Sequence, residues 1–193
     1  MTRAPHFYSR SMRVLHWLTA ALLLFAYPLA WSIEQAQSAD VAARLVMLHR
    51  SVGVTVLLLT LIRLIQRFSS EVPALPSDVP FWQRWAARGN EGLLYLLMLA
   101  QPSLGLAASW LHGDHIVLFG FIGFQGVWTD RALSHQLFQI HGAVALLLLA
   151  LIGLHAGAAL YHLVVRRDHV MSSMVGARLL PHRTGRAATE QIP

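Results

Sequence analysis

Four stretches of this chain are each long and apolar enough to cross a hydrocarbon core, which takes about 20 residues of helix. They run from Val14 to Ile33, from Val46 to Ile65, from Gly92 to Leu111 and from Leu137 to Val165. The last is the longest, so it is expected to tilt or to extend beyond the lipid. Strands of a membrane barrel would be shorter and would alternate in polarity, and blocks such as Ala145-Leu146-Leu147-Leu148-Leu149-Ala150 do not. Composition agrees. Of 193 residues, 55% are hydrophobic and 12% are charged, against roughly 25% charged in a soluble domain. Too little polar surface exists to coat a globule. The pattern predicts an all-α, integral membrane four-helix bundle, one domain over residues 1–180, with a disordered tail over 181–193. A cleaved signal peptide is the competing reading of the first span, since Arg3, Arg10 and Arg13 precede it. That run exceeds an apolar region of about 7–15 residues, and three further spans follow.

All fifteen basic residues are arginines, against nine acids. A basic soluble chain would raise nucleic acid as a partner; arginines flanking apolar runs point to lipid instead. Arg3, Arg10, Arg13, Arg63, Arg67, Arg84, Arg88, Arg166, Arg167, Arg178, Arg183 and Arg186 fall on one side of the four spans. Only Arg44, Arg50 and Arg131 fall on the other, among Glu34, Asp40, Asp114 and Asp130. The positive-inside rule then puts both termini in the cytoplasm. Trp17, Trp31, Trp110 and Trp128 lie near span ends, where interfacial anchors belong. Trp82 and Trp85, with Pro73, Pro76 and Pro80, mark a cytoplasmic loop with a short surface helix. The outer connection, Gly113 to Asp130, is rich in Gly and Phe and is expected to lie against the membrane. With no cysteine in the chain, disulfides, iron–sulfur clusters, covalently attached c-type haem and cysteine nucleophiles are excluded.

Ionisable groups within spans are costly and mark function by default. Of eleven histidines, His6, His112, His115, His169 and His182 lie in tails or loops, and His135 sits at the mouth of the fourth span. His16, His49, His141, His155 and His162 lie in the apolar runs. A single such histidine is readily explained by a helix–helix hydrogen bond; five on three spans are not. Depth sorts them. His16 lies near the inner side and His49 near the outer. His141 and His155 are fourteen residues apart, about four turns and roughly 21 Å of rise on one face. His141 can therefore meet His49, and His155 can meet His16. Two stacked bis-histidine sites suit two non-covalent b haems, whereas closed zinc sites usually need four ligands. His162, two turns beyond His155, is the alternative partner for His16. Gly53, Gly142, Gly153, Gly157 and Ala156 leave room for a flat macrocycle or serve close helix packing. Arg13 and Arg50 are placed either to hold propionates or to snorkel. Glu91 is a proton acceptor or an interfacial carboxylate.

These residues resemble the prokaryotic cytochrome b561 family from about Tyr8 to Met174. The likeness runs through Tyr8-Ser9-Arg10, Leu15-His16-Trp17 and Leu48-His49-Arg50-Ser51-Val52-Gly53, with Arg63 and Arg67 downstream. It continues through Leu94-Tyr95-Leu96-Leu97-Met98 with Pro102 and Gly105. Its strongest part is Gly153-Leu154-His155-Ala156, followed by Ala159-Leu160-Tyr161-His162 and Arg166-Arg167-Asp168. The resemblance implies a bacterial inner-membrane dihaem cytochrome that exchanges electrons with quinone, its ligands on His16, His49, His141 and His155. One departure stands out: where members often carry a histidine one turn before the tyrosine of the third span, this chain has Glu91. Some members resemble superoxide oxidase, passing an electron from superoxide to ubiquinone. Others resemble the cytochrome subunit of hydrogenases and formate dehydrogenases, which would make a redox subunit the partner. A haem-free transporter or scaffold is the remote alternative.

Overall fold

A computed structural model describes residues 7–71, 73, 78–126, 130–168 and 170–176. The expected disordered tail, Trp128, His6, His169 and His182 lie outside the described residues. Four long helices, α1 (Arg10–Glu34), α2 (Ala39–Ser69), α3 (Phe81–His112) and α4 (Arg131–Tyr161), contain the apolar runs. Each is long and apolar enough to cross a membrane, so the chain is an all-α, multi-pass membrane protein. A short α5 (Val170–Val175) follows α4.

The helix starts are set by local chemistry. Ser9 Oγ accepts from the Met12 amide (3.3 Å), Ser38 Oγ from the Val41 amide (3.4 Å) and the Asp130 carboxylate from the Leu133 amide (3.0 Å). Each cap satisfies a donor that the first turn leaves without a partner. α3 ends on Gly113 at φ 80°, the left-handed residue that closes a helix without a Cβ clash.

One expectation needs correction, and two further features had no counterpart in the sequence. Trp82 and Trp85 are not in a loop with a separate surface helix; they form the first turns of α3, which Pro80 starts and no later proline breaks before Pro102. The fourth span ends as α-helix at Tyr161, and its last residues, His162–Arg166, form a π-helical turn closed by Arg167 at φ 54°. The outer connection is not featureless. It holds an antiparallel hairpin, β1 (His115–Leu118) and β2 (Ile122–Gln125), with Leu118 opposite Ile122. β-branched and aromatic residues supply the strands. Phe119 and Gly120, at φ 55° and 82°, give the turn the paired positive φ of a type I′ connection. Helical periodicity cannot detect four-residue strands.

Packing is inside-out relative to a soluble bundle. Leu24, Leu146 and Leu154 are 73%, 68% and 61% exposed, as lipid-facing side chains should be. The interior is thin: Leu97 and Met98 of α3 meet Leu148 of α4, with Leu23, Tyr95 and Val144 around them. Buried hydroxyls bond back within their own helices, Thr19 to the Leu15 carbonyl and Thr60 to that of Val56, both at 2.7 Å. α3 and α4 touch most closely where Ala108 and Ser134 are both fully buried, and Ser134 Oγ donates to the Ala108 carbonyl at 2.8 Å. Small residues permit that approach where lipid offers no hydrophobic drive. Ser134→Leu should therefore push α3 from α4 and cost about 1–3 kcal/mol, measured as a lower thermal midpoint in detergent; an unchanged midpoint would show that this contact is not where the helices lock.

Candidate functional site

α4 carries one member of each of two histidine pairs. His155 lies across from His16 of α1, ring centroids 6.1 Å apart and planes at 53°. His141 lies across from His49 of α2 at 6.2 Å and 83°. The structure thus brings together the four residues that depth singled out, in the same two pairs. His162 is elsewhere: its Nδ1 meets the Asp168 carboxylate at 2.6 Å. Among the described residues, no three His, Asp or Glu side chains converge as a metal-binding group. Four of the five histidines in the spans face each other in twos.

Each pair has its own supports. At the end of the bundle with the hairpin, the Gln101 carbonyl accepts from His141 Nδ1 at 2.9 Å, and the Gln101 amide lies 3.2 Å from His141 Nε2. Gly105, one turn further on α3, backs the same ring: a Cβ there would stand 3.0 Å from His141 Cε1. His49 is held less. The Ala26 carbonyl approaches its ring, but the buried Nδ1 has no hydrogen bond of normal geometry. At the other end, where the described chain begins and finishes, Arg63 Nη2 lies 3.1 Å from His16 Nδ1, and its guanidinium covers the Tyr95 ring at 5.6 Å. Trp17 meets His16 edge-on at 5.3 Å.

Open space flanks the second pair. All residues from Gly153 to Ala158 of α4, His155 included, are exposed. Six consecutive helical residues cover every side, so no helix packs tightly on α4 at this height. A Cβ added at Gly153 or Gly157 would meet no atom within 4 Å. Gly53 is different: its Cβ would stand 3.6 Å from Pro102, so it serves helix packing.

The arginines divide. Arg50 is committed to Asp114 and to Ser109 Oγ, and Asp114 also holds His112 at 2.7 Å. Arg13 bonds the Val175 carbonyl through Nη1 (3.3 Å), while its buried Nε has no partner. Glu91 holds Arg67 through both carboxylate oxygens, at 2.9 and 3.3 Å. Tyr8 lies in the same neighbourhood; burial pushes its hydroxyl up, and the Glu91 carboxylate adds to the shift.

Two supports were not picked out as site residues from the sequence. Arg63 follows His49 by fourteen residues, the interval separating His141 from His155, so that spacing would have put it at the height of His16. Gln101 is an amide in an otherwise apolar run, which is a signal in itself.

The chain matches the model of the family described as prokaryotic cytochrome b561 over residues 7–177. It is 34% identical over 191 residues to cytochrome b562 of Cereibacter sphaeroides, covering 92% of this chain and 100% of that one. It is 30% identical over 174 residues to a Yersinia pestis protein named "Probable superoxide oxidase CybB", covering 89% and 94%. Cytochrome b561 homolog 1 of Escherichia coli is 28% identical over 173 residues, covering 89% and 98%.

The turn after α4 has a definite pH sign. Burial alone would raise the Asp168 carboxyl, but His162, the Val170 amide and Arg166 together bring it below the usual range. A depressed folded value means the carboxylate stabilises this turn above its ordinary range, and the contribution is lost as pH falls through the lowered value. Asp168→Asn should therefore loosen the turn at neutral pH, giving severalfold faster tryptic cleavage at Arg166 and Arg167 than in the parent protein. Equal rates would show that other contacts hold the turn.

Proposed function

Given that this chain belongs to the prokaryotic cytochrome b561 family, we propose that it is a dihaem b-type cytochrome that carries electrons across the membrane to or from quinone. The observation that carries the reading is the pair of facing histidine couples at two heights. Two metal–nitrogen bonds of about 2 Å plus the radii of two imidazole rings sum to about 6 Å, which matches the ring separations of 6.1 and 6.2 Å. The open flank of α4 at Gly153 and Gly157 fits the same group. Haem b, when bound, supplies the one-electron iron couple.

The chain's own residues supply the rest. His16 with His155, and His49 with His141, would hold the two haems. Gln101, bonded to His141 Nδ1, fixes the orientation of that ring, as partners of metal-bound histidines commonly do. Arg63 lies 3.1 Å from His16 Nδ1, but a guanidinium only donates, so it is not an acceptor for the ring N–H that a metal-bound imidazole would present there. Arg13, with its buried free Nε, is placed for a propionate. Arg50, paired with Asp114, is already neutralised and is not assigned that role. His162 keeps its bond to Asp168 and ligates nothing. Helical rise separates His141 from His155 by roughly 21 Å, so the two couples span much of the hydrocarbon thickness. Both termini are assigned to the cytoplasm by the distribution of arginines, which turns the hairpin end outward, in a bacterial inner membrane.

Ligation is checked by haem content and spectrum. His49→Ala or His141→Ala should remove one haem and leave a spectrum of the other. His16→Ala or His155→Ala should remove the other, and His162→Ala should keep both. A parent protein with a single haem after full reconstitution would sink the assignment.

The donor is checked with the holoprotein in liposomes. Rapid haem reduction by quinol, or by superoxide added at the hairpin end, is the expected result, and quinone reduction driven by superoxide would select an oxidase like the one the Yersinia relative is named for. Reduction by neither donor, but only with a hydrogenase or dehydrogenase present, would make the chain a subunit of such a complex.

A further inference from the structure

The hairpin between α3 and α4 plays no part in the histidine sites, yet its chemistry is unusual for a loop. The eleven residues from Ile116 to Gly126 include no charged side chain. Their apolar side chains face two ways. Ile116 and Leu118 are 0% and 7% exposed against the bundle, while Phe119, Phe121 and Ile122 at the tip are 45%, 79% and 44% exposed. Facing water, that tip would be an apolar patch with nothing to offset it.

Depth tells what faces it. The Phe119 amide donates to Ser51 Oγ at 2.8 Å. Ser51 stands five residues inside the apolar run that begins at Val46, about 7.5 Å below its rim at 1.5 Å per residue. Above it, the Arg50 guanidinium bonds Asp114 and Ser109 at the end of α3 and marks the polar boundary. The run from Val46 is sized to the hydrocarbon core, so a tip beside Ser51 lies at the rim of that core. The main obstacle to such a position is unsatisfied backbone, which hydrocarbon does not tolerate. Two of the tip's amides are satisfied within the protein: that of Phe119 is bonded to Ser51, and that of Phe121 to the Leu118 carbonyl at 3.2 Å.

We propose that Phe119, Phe121 and Ile122 form a lipid-dipping anchor, seated in acyl chains at the rim of the hydrocarbon core. The partner is the bilayer itself, continuous with the lipid around the spans. The inference does not depend on haem.

The natural absence of cysteine makes single-site labelling clean. Phe121→Cys carrying a nitroxide, in liposomes, should collide severalfold more often with oxygen than with a water-soluble nickel chelate. Gln37→Cys, in the exposed turn between α1 and α2, should show the opposite ratio. Ile122→Cys repeats the measurement on β2 should the first variant not fold. A label at 121 or 122 that meets nickel as freely as one at 37 would put the tip in water and overturn the proposal. Exclusion of both probes would overturn it as well, because a second copy or another protein would then cover the tip.

Discussion

Hydrocarbon gives a polar group no solvent to fall back on, so each one taken into the membrane must find its partner within the protein. Most of what is specific in this structure follows from that demand. Thr19, Ser51, Thr55 and Thr60 return their hydroxyl protons to carbonyls one turn back in their own helices. Arg50 is neutralised by Asp114, and Arg67 by Glu91. What is left over after such pairing is informative. The buried Arg13 Nε has no hydrogen bond among the described residues, and it belongs to a residue proposed to hold a propionate.

Where backbone meets backbone, the bundle uses small residues, and these contacts fix the histidines indirectly. Ala108 against Ser134 sets the distance from α3 to α4, and Gly105, one turn before Ala108 on α3, sits under the His141 ring. α3 thereby orients a histidine that it does not itself contribute. At the opposite end no comparable helix contact surrounds His155, and the side chain of Arg63 lies beside His16. The two couples are built alike in residue type and differently in support.

Long-range periodicity and charge made the four spans legible, because twenty apolar residues and an arginine imbalance are signals that tertiary contacts do not override. The histidine couples were legible for a related reason: helical rise converts sequence distance into depth, and depth restricts which residues can meet. Short elements carry no such signal. The hairpin rests on two four-residue strands and a turn with positive φ at Phe119, a position where an aromatic gives no warning. The π-helical turn at His162 was hidden too, since the bond from His162 to Asp168 and the positive φ of Arg167 beside it leave no pattern along the helix. Asp114 stood in the sequence as an acid of the outer connection, and nothing in its local setting tied it to Arg50, sixty-four positions away.

One member of each couple sits on α4, and fourteen residues separate them. That number falls only about 40° short of four full turns at 100° per residue, so both rings leave the helix on nearly the same side. The rigid segment from His141 to His155 thus acts as a ruler with two marks. Substitutions between the marks change packing, but inserting or deleting a single residue would swing one mark about 100° around the axis relative to the other. No rotation of the whole helix could then restore both couples. The segment therefore tolerates exchange of one apolar residue for another far better than any change in its length.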